Sequence, residues 1–171
     1  MTLLSILQYP DLRLRNKAKV VTDPTSPEVQ KIIADMLRTL ANAESCAALA
    51  ANQLDIQNPP AITVINPMPG SEEILCLINP EVVEKSGESI EEEGCMSVCP
   101  NKISAKIPRA EKVTVRALNK EGKPIEIKAE GLLARCLQHE IDHLNGILYI
   151  DYLSPLKRKR IEKKILKNIS H

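Results

Sequence analysis

The chain has no phenylalanine and no tryptophan, and only three tyrosines, Tyr9, Tyr149 and Tyr152. Its core must therefore be built from Leu, Ile, Val and Ala, and aromatic platforms for stacking bases or sugars are not expected. Charge of one sign is missing as well. Against 23 Lys and Arg stand 22 Asp and Glu, a formal net charge of +1, so overall charge points to neither nucleic acid nor membrane. No apolar run approaches the roughly 18 residues of a membrane span. Met1 to Tyr9 carries no basic region ahead of its short apolar stretch, so no signal peptide is expected. The cysteines Cys46, Cys76, Cys95, Cys99 and Cys136 are odd in number and lack the two-residue spacing of redox and zinc-knuckle motifs. They read as mostly buried small apolar groups in a reducing compartment, one or more of them available to a metal. With 171 residues, 43% of them apolar, the chain is long enough for one globular domain over residues 1–171 without disulfides.

What is present is a mixture of helix and strand signals. Residues 1–24 read as an extended lead-in punctuated by Pro10 and Pro24. Ser26-Pro27 supplies a capping hydroxyl followed by proline at the first helical position, and predicts a helix to about Ala43. Val29, Ile32, Ile33, Met36, Leu37 and Leu40 recur on its apolar stripe. Strands are expected at Ile62–Ile65 and Ile74–Ile78, with a turn at residues 69–71 between them. The acidic run Glu88 to Glu93 reads as loop. Val113–Leu118 and Pro124–Ala129 predict a hairpin. Gly131–Leu144 predicts a helix ended by Asn145-Gly146, then an extended piece over Leu148–Tyr152. Ser154-Pro155 opens a last, basic helix over residues 156–169. Strand links that are hairpins and turns favour an α+β fold, in which small antiparallel or mixed sheets surround a central helix, flanked by N-terminal and C-terminal helices.

The sharpest chemical signal is His139-Glu140-Ile141-Asp142-His143, inside the helix expected on independent grounds. Residues i and i+4 share a helix face, so both imidazoles reach one cation, and Glu140 lies about 100° round, near a water on that cation. The blander reading, two histidines on an exposed polar face, does not explain why the same stripe carries Leu132 and Cys136. A catalytic centre of this type takes three protein ligands. Cys136 is seven residues from His143, about 10 Å of rise, too far to share the ion. A distant segment must supply the third ligand. Glu93-Gly94-Cys95-Met96-Ser97 offers Cys95 beside a glycine that permits close backbone approach, and Cys99 is its rival. The small-residue run from Cys46 to Asn52 ends at Gln53, whose amide suits an oxyanion donor, although tight helix packing explains such a run equally well.

These three segments, in this order, resemble the motifs of the peptide deformylase family. The second and third stand in nearly family form. Asn79-Pro80-Glu81, Pro108-Arg109-Ala110, Asp142-His143-Leu144-Asn145-Gly146 and Asp151 to Lys157 extend the likeness over essentially the whole chain, the last resembling the bacterial Gram-negative-type branch. The resemblance implies a metal-dependent hydrolase that removes the formyl group from formyl-Met peptides at the start of nascent proteins. It implies Fe²⁺, with Zn²⁺, Ni²⁺ or Co²⁺ as substitutes, held by Cys95, His139 and His143. Glu140 becomes the acid–base residue, and Gln53 and the Met96 backbone N–H the oxyanion donors. Ala47, Ala48 and Gly94 pair with the substrate backbone, while Leu132 and Cys136 line the methionine pocket. The basic C-terminal helix becomes a docking surface for ribosomal RNA. A cytoplasmic monomer is expected, with neither DNA nor membrane as partner.

Departures from the family pattern are specific. Cys46 and Ala48 replace two glycines of the first motif. Either Ala48 sits at a backbone conformation that wants glycine, or it takes ordinary negative φ and the change is harmless. Met96 replaces a leucine, and Val98-Cys99-Pro100-Asn101 reshapes the loop after the cysteine. Two other functions share these features: a deformylase fold with altered activity or one that only binds peptide or ribosome, and, from the histidine helix alone, a zinc peptidase.

Overall fold

The structure is a computed structural model that describes residues 2–68, 70 and 72–169. Three α-helices are present among these: α1, Pro27–Asn42; α2, Gly131–Leu144; and α3, Pro155–Ile169. Seven strands accompany them: β1, Ala48–Ala50; β2, Ile62–Ile65; β3, Leu75–Ser86; β4, Ser89–Glu93; β5, Ala105–Arg109; β6, Lys112–Leu118; and β7, Pro124–Glu130. The larger sheet has the order β1-β2-β3-β6-β7 and is antiparallel throughout, while β4 and β5 form a separate antiparallel pair. This is the expected α+β class. The turn expected at residues 69–71 falls largely outside the described residues.

Strand alternation divides the core between two helices. Ile62, Val64 and Ile78 face Ile33, Met36 and Leu40 of α1. Ile65, Leu77, Val113 and Val115 face Ala134, Leu137 and Ile141 of α2. The sheet is thus covered on both faces, and each large side chain buried there stabilises the fold by about 1.5–3 kcal/mol. Ser26 caps α1 by accepting from the Val29 N–H at 3.3 Å. At the far end of α2, Gly146 has φ +77°, and a Cβ there would collide with the Arg15 carbonyl oxygen. Beside the paired strands β4 and β5, Ile161 and Ile165 of α3 join Ile103, Ile107 and Tyr149 in a further cluster.

Four expectations are corrected. The acidic run from Glu88 is strand β4 from Ser89 onward, because Glu92 lies opposite Lys106 of β5 and arginines neutralise Glu93. Leu148–Tyr152 contains a 3-10 turn, Tyr149–Tyr152, where the Asp151 carboxylate accepts the Leu148 N–H at 3.0 Å. The lead-in also holds a 3-10 turn, Leu12–Arg15, capped by Asp11. The strand expected over Ile74–Ile78 continues to Ser86, bulging past Asn79-Pro80, where the Asn79 side chain bonds both the N–H and the carbonyl of Val21.

Asp151 ties the N-terminal segment to α3, accepting from Arg15 at 2.6 and 3.1 Å and pairing with Arg158 at 3.2 Å. Burial pushes its carboxyl up, but these partners, Arg15 first, hold it below the ordinary value of 3.8. Asp151→Asn should cost about 1–2 kcal/mol at neutral pH, read by urea unfolding. A depressed carboxyl contributes stability that is present above its unfolded value and lost as pH falls through the folded one. The difference between variant and wild type should therefore hold down to pH 3.8 and shrink below it, and a difference undiminished far below that value would contradict the assignment.

Candidate active site

A cleft of about 340 Å³ runs between β1 on one side and β4 with the turn after it on the other, and α2 forms its floor. From the first side come Ala47, Ala48 and Gln53. Glu93, Gly94, Cys95 and Met96 come from the second, and Leu132, Cys136, His139 and Glu140 from α2. Each expected site residue other than His143 lines this cleft. His143 is buried behind it, 3.2 Å from Cys95 Sγ and 3.1 Å from His139 Nε2 through its own Nε2.

The ligand atoms of Cys95, His139 and His143 all lie within 4.8 Å of one another. One turn of helix brings the two imidazoles together, with ring centroids 4.8 Å apart. The turn after β4 delivers the thiol. Val98 N–H bonds the Cys95 carbonyl there, and the Ser97 N–H points at Cys95 Sγ at 3.4 Å. Cys99 and Cys136 are outside the cluster: Cys99 sits at φ 41° against the α3 side of the core, and Cys136 on the cleft wall. Burial of Cys136, reinforced by Glu140 and Glu93, keeps its thiol well above the ordinary range.

Glu93 anchors the site. Its Oε1 meets His139 Nδ1 at 2.5 Å and Arg109 Nη2 at 2.6 Å, and its Oε2 takes Arg135 Nη1 at 2.9 Å. Burial raises its carboxyl, yet the bonds from His139 and Arg109 outweigh that and hold it at about 2. Arg109 also reaches Asp142 Oδ2 at 2.5 Å and stacks over the Tyr152 ring. The roles of Glu93, Arg109 and Arg135 are not legible in the local sequence, because their partners lie 16 to 46 residues away. Nor is the role of Asn52. Its side-chain amide donates to the His143 carbonyl and to the Asn16 carbonyl, tying the end of α2 to the N-terminal segment.

The chemistry of this donor set fits a divalent cation. A thiol and two imidazoles converge in a buried place, with a carboxylate behind one imidazole. The surroundings favour positive charge there: burial pushes His139 down, but the Cys95 sulfur and Glu93 carboxylate reverse this and carry it well above its ordinary value. Burial, with His139 next to it, pushes His143 well down into the neutral, ligating form.

Two further polar groups aim at the same place. Gln53 Oε1 accepts the Ala50 N–H at 2.9 Å, which fixes the amide so that Nε2 points inward, 3.1 Å from Ser97 Oγ and 3.8 Å from Cys95 Sγ. Glu140 is 3% exposed, and its Oε2 is buried with no hydrogen-bond partner among the described residues. Burial pushes its carboxyl up to about 7. A buried carboxylate oxygen without a partner is costly unless a ligand or water supplies one.

The question raised by Ala48 is answered by its strand. Ala48 is the first residue of β1, opposite Ile65, and is not among the described non-glycine residues with positive φ. Its methyl packs with Leu77, Leu137 and Ile141. Leu132, expected to line the pocket, stands at its rim, 80% exposed.

A family model for polypeptide deformylase matches residues 3–159. Peptide deformylase 1 of Coxiella burnetii is 50% identical over 163 residues, which are 95% of each chain. Among solved structures, a peptide deformylase from Legionella pneumophila is 44% identical with a TM-score of 0.90, covering 99% of this chain and 96% of that one. A peptide deformylase from Ehrlichia chaffeensis in complex with actinonin is 36% identical with a TM-score of 0.86, covering 98% of each. With a family match over most of its length and half its residues shared with a curated relative, the chain belongs to the peptide deformylase family.

Proposed function

We propose that Cys95, His139 and His143 of this deformylase hold a ferrous ion at which the N-formyl group of a formyl-Met nascent peptide is hydrolysed to formate. One observation carries the reading: three donor atoms within 4.8 Å of one another, with the unpartnered Oε2 of Glu140 buried on the same helix and Gln53 Nε2 aimed at the same thiol. A thiolate–imidazole set suits Fe²⁺ and leaves Zn²⁺, Ni²⁺ and Co²⁺ as substitutes. When bound, such a cation acidifies water and polarises the formyl oxygen.

The chain's own residues do the rest. Glu140 takes a proton from the attacking water and returns it to the leaving nitrogen. Gln53 Nε2 and the Met96 N–H donate to the oxyanion as it develops. The peptide lies as an added strand along the outer edge of β1 at Ala48, with Ala47 and Gly94 flanking it. Its methionine side chain enters between Leu132 and Cys136, a small apolar wall that suits a flexible thioether.

The same reading places the protein in the cytoplasm as a monomer, with Lys157, Lys159, Arg160, Lys163 and Lys164 on the exposed face of α3 turned toward ribosomal RNA. Such phosphate contacts weaken steeply with salt. No helix among the described residues is long and apolar enough to cross a membrane.

The test is formate release from formyl-Met-Ala-Ser by protein loaded with Fe²⁺ or Ni²⁺ in the absence of oxygen, with metal counted on the same sample. Turnover at one metal per chain is expected. Full metal occupancy with no formate would sink the reading.

A further inference from the structure

β1 is an edge strand. Asn66 N–H bonds the Ala47 carbonyl at 2.8 Å, and the register pairs Leu49 with Val64, so residues 47 and 49 direct their carbonyls toward β2. Alternation then turns the N–H and C=O of Ala48 and Ala50 away from β2, and Ala48 lines the cleft. Ala50's outward N–H is already taken by Gln53 Oε1. The outward carbonyl of Ala48 is the acceptor left for an incoming extended chain, and it is not bare. Cys46 Sγ donates to it at 3.3 Å, from the irregular segment just before the strand.

We infer that Cys46 sets the affinity of the cleft for its peptide, because its thiol sits on the strand-edge carbonyl that the peptide backbone must use. This rests on the deformylase reading for the identity of the peptide, and on β1 alone for the geometry. The thiol is a weak donor, so it occupies the carbonyl without closing the edge. An arriving amide N–H is a stronger donor to the same oxygen and displaces it. Burial, with Glu140 near, pushes the Cys46 thiol up to about 12, so it keeps its proton and its donor role at neutral pH. The contact is made in the free protein and lost in the complex, so it subtracts from binding to ground and transition states alike. It is an affinity-setting contact, not a catalytic one.

The test uses two substitutions with opposite predicted signs. Cys46→Ala removes the donor, and Cys46→Ser replaces it with a stronger one. On metal-loaded full-length protein with formyl-Met-Ala-Ser, KM should fall about threefold for C46A and rise about threefold for C46S, with kcat little changed in both. A packing role for the sulfur would move both variants in the same direction and lower both melting temperatures. KM values that shift together, or that do not shift at all, would overturn the inference. If wild type releases no formate, the deformylase reading fails separately. The inference is then read from calorimetric binding of Met-Ala-Ser to the Ni²⁺-loaded proteins: affinity in the order C46A, wild type, C46S supports it, and any other order, or no binding, overturns it.

Discussion

Glu140→Gln is expected to lower kcat for formate release by about 10²–10⁴, the range that a positioned acid–base group supplies, while KM and metal content hold. The residue is 3% exposed, so an isosteric amide keeps the packing that alanine would lose. The carboxylate's distinctive property is its buried Oε2, which has no hydrogen-bond partner among the described residues. Its other oxygen is 4.0 Å from His139 Nε2, too far for a hydrogen bond to that ring. An amide in its place can neither take the water proton nor return it to the nitrogen. Glu140 is not one of the converging ligands, which is why metal content should be preserved. Steady-state formate assays with elemental analysis of the same sample decide the matter. Activity within tenfold of wild type at full metal occupancy would remove Glu140 from the mechanism.

The parts of this site that were legible in the sequence are those written locally. The two histidines sit one helical turn apart, and the Ser26-Pro27 cap and the Asn145-Gly146 stop are signals read over a few residues. Ile62–Ile65 and the paired β6 and β7 were legible because β-branched runs there are bounded by turn residues. By contrast, Ala48-Leu49-Ala50 has the composition of a helix and becomes a strand only because β2 pairs with it. β4 carries three consecutive glutamates, and its strand form depends on Lys106, Arg109 and Arg135, none of them near in sequence. Local chemistry gave Cys95 only a small edge over Cys99. The family resemblance chose between them, and the geometry follows from which side of one turn each thiol leaves. Glu93 is the clearest case of what was hidden. It stands two residues from a ligand in the quoted motif, but its function depends on three partners from β5 and α2.

Those partners make the effect of Glu93→Gln large and separable into two terms. The substitution keeps the shape of the side chain and removes its charge. Arg109, 3% exposed, retains Asp142 as a counterion. Arg135, 7% exposed, retains among the described residues the Ile107 carbonyl and Ser89, neither of them charged. A guanidinium cannot shed its proton to escape burial, so Arg135 bears most of the cost. Breaking a buried pair from one side costs about 3–5 kcal/mol, and urea unfolding of the metal-free protein should read a loss in that range. The second term acts on the cation. Glu93 holds His139 Nδ1, which directs Nε2 at Cys95 and His143. Removing such a partner typically weakens metal binding by about 10–100-fold, measurable by competition with a chromophoric chelator. Adding Arg135→Leu to Glu93→Gln separates the two. The double variant no longer buries an unpaired guanidinium and should recover part of the stability, yet its metal affinity should stay low, because nothing restores the bond to His139. Recovery of both together would mean that Glu93 acts on the metal site only by keeping the protein folded.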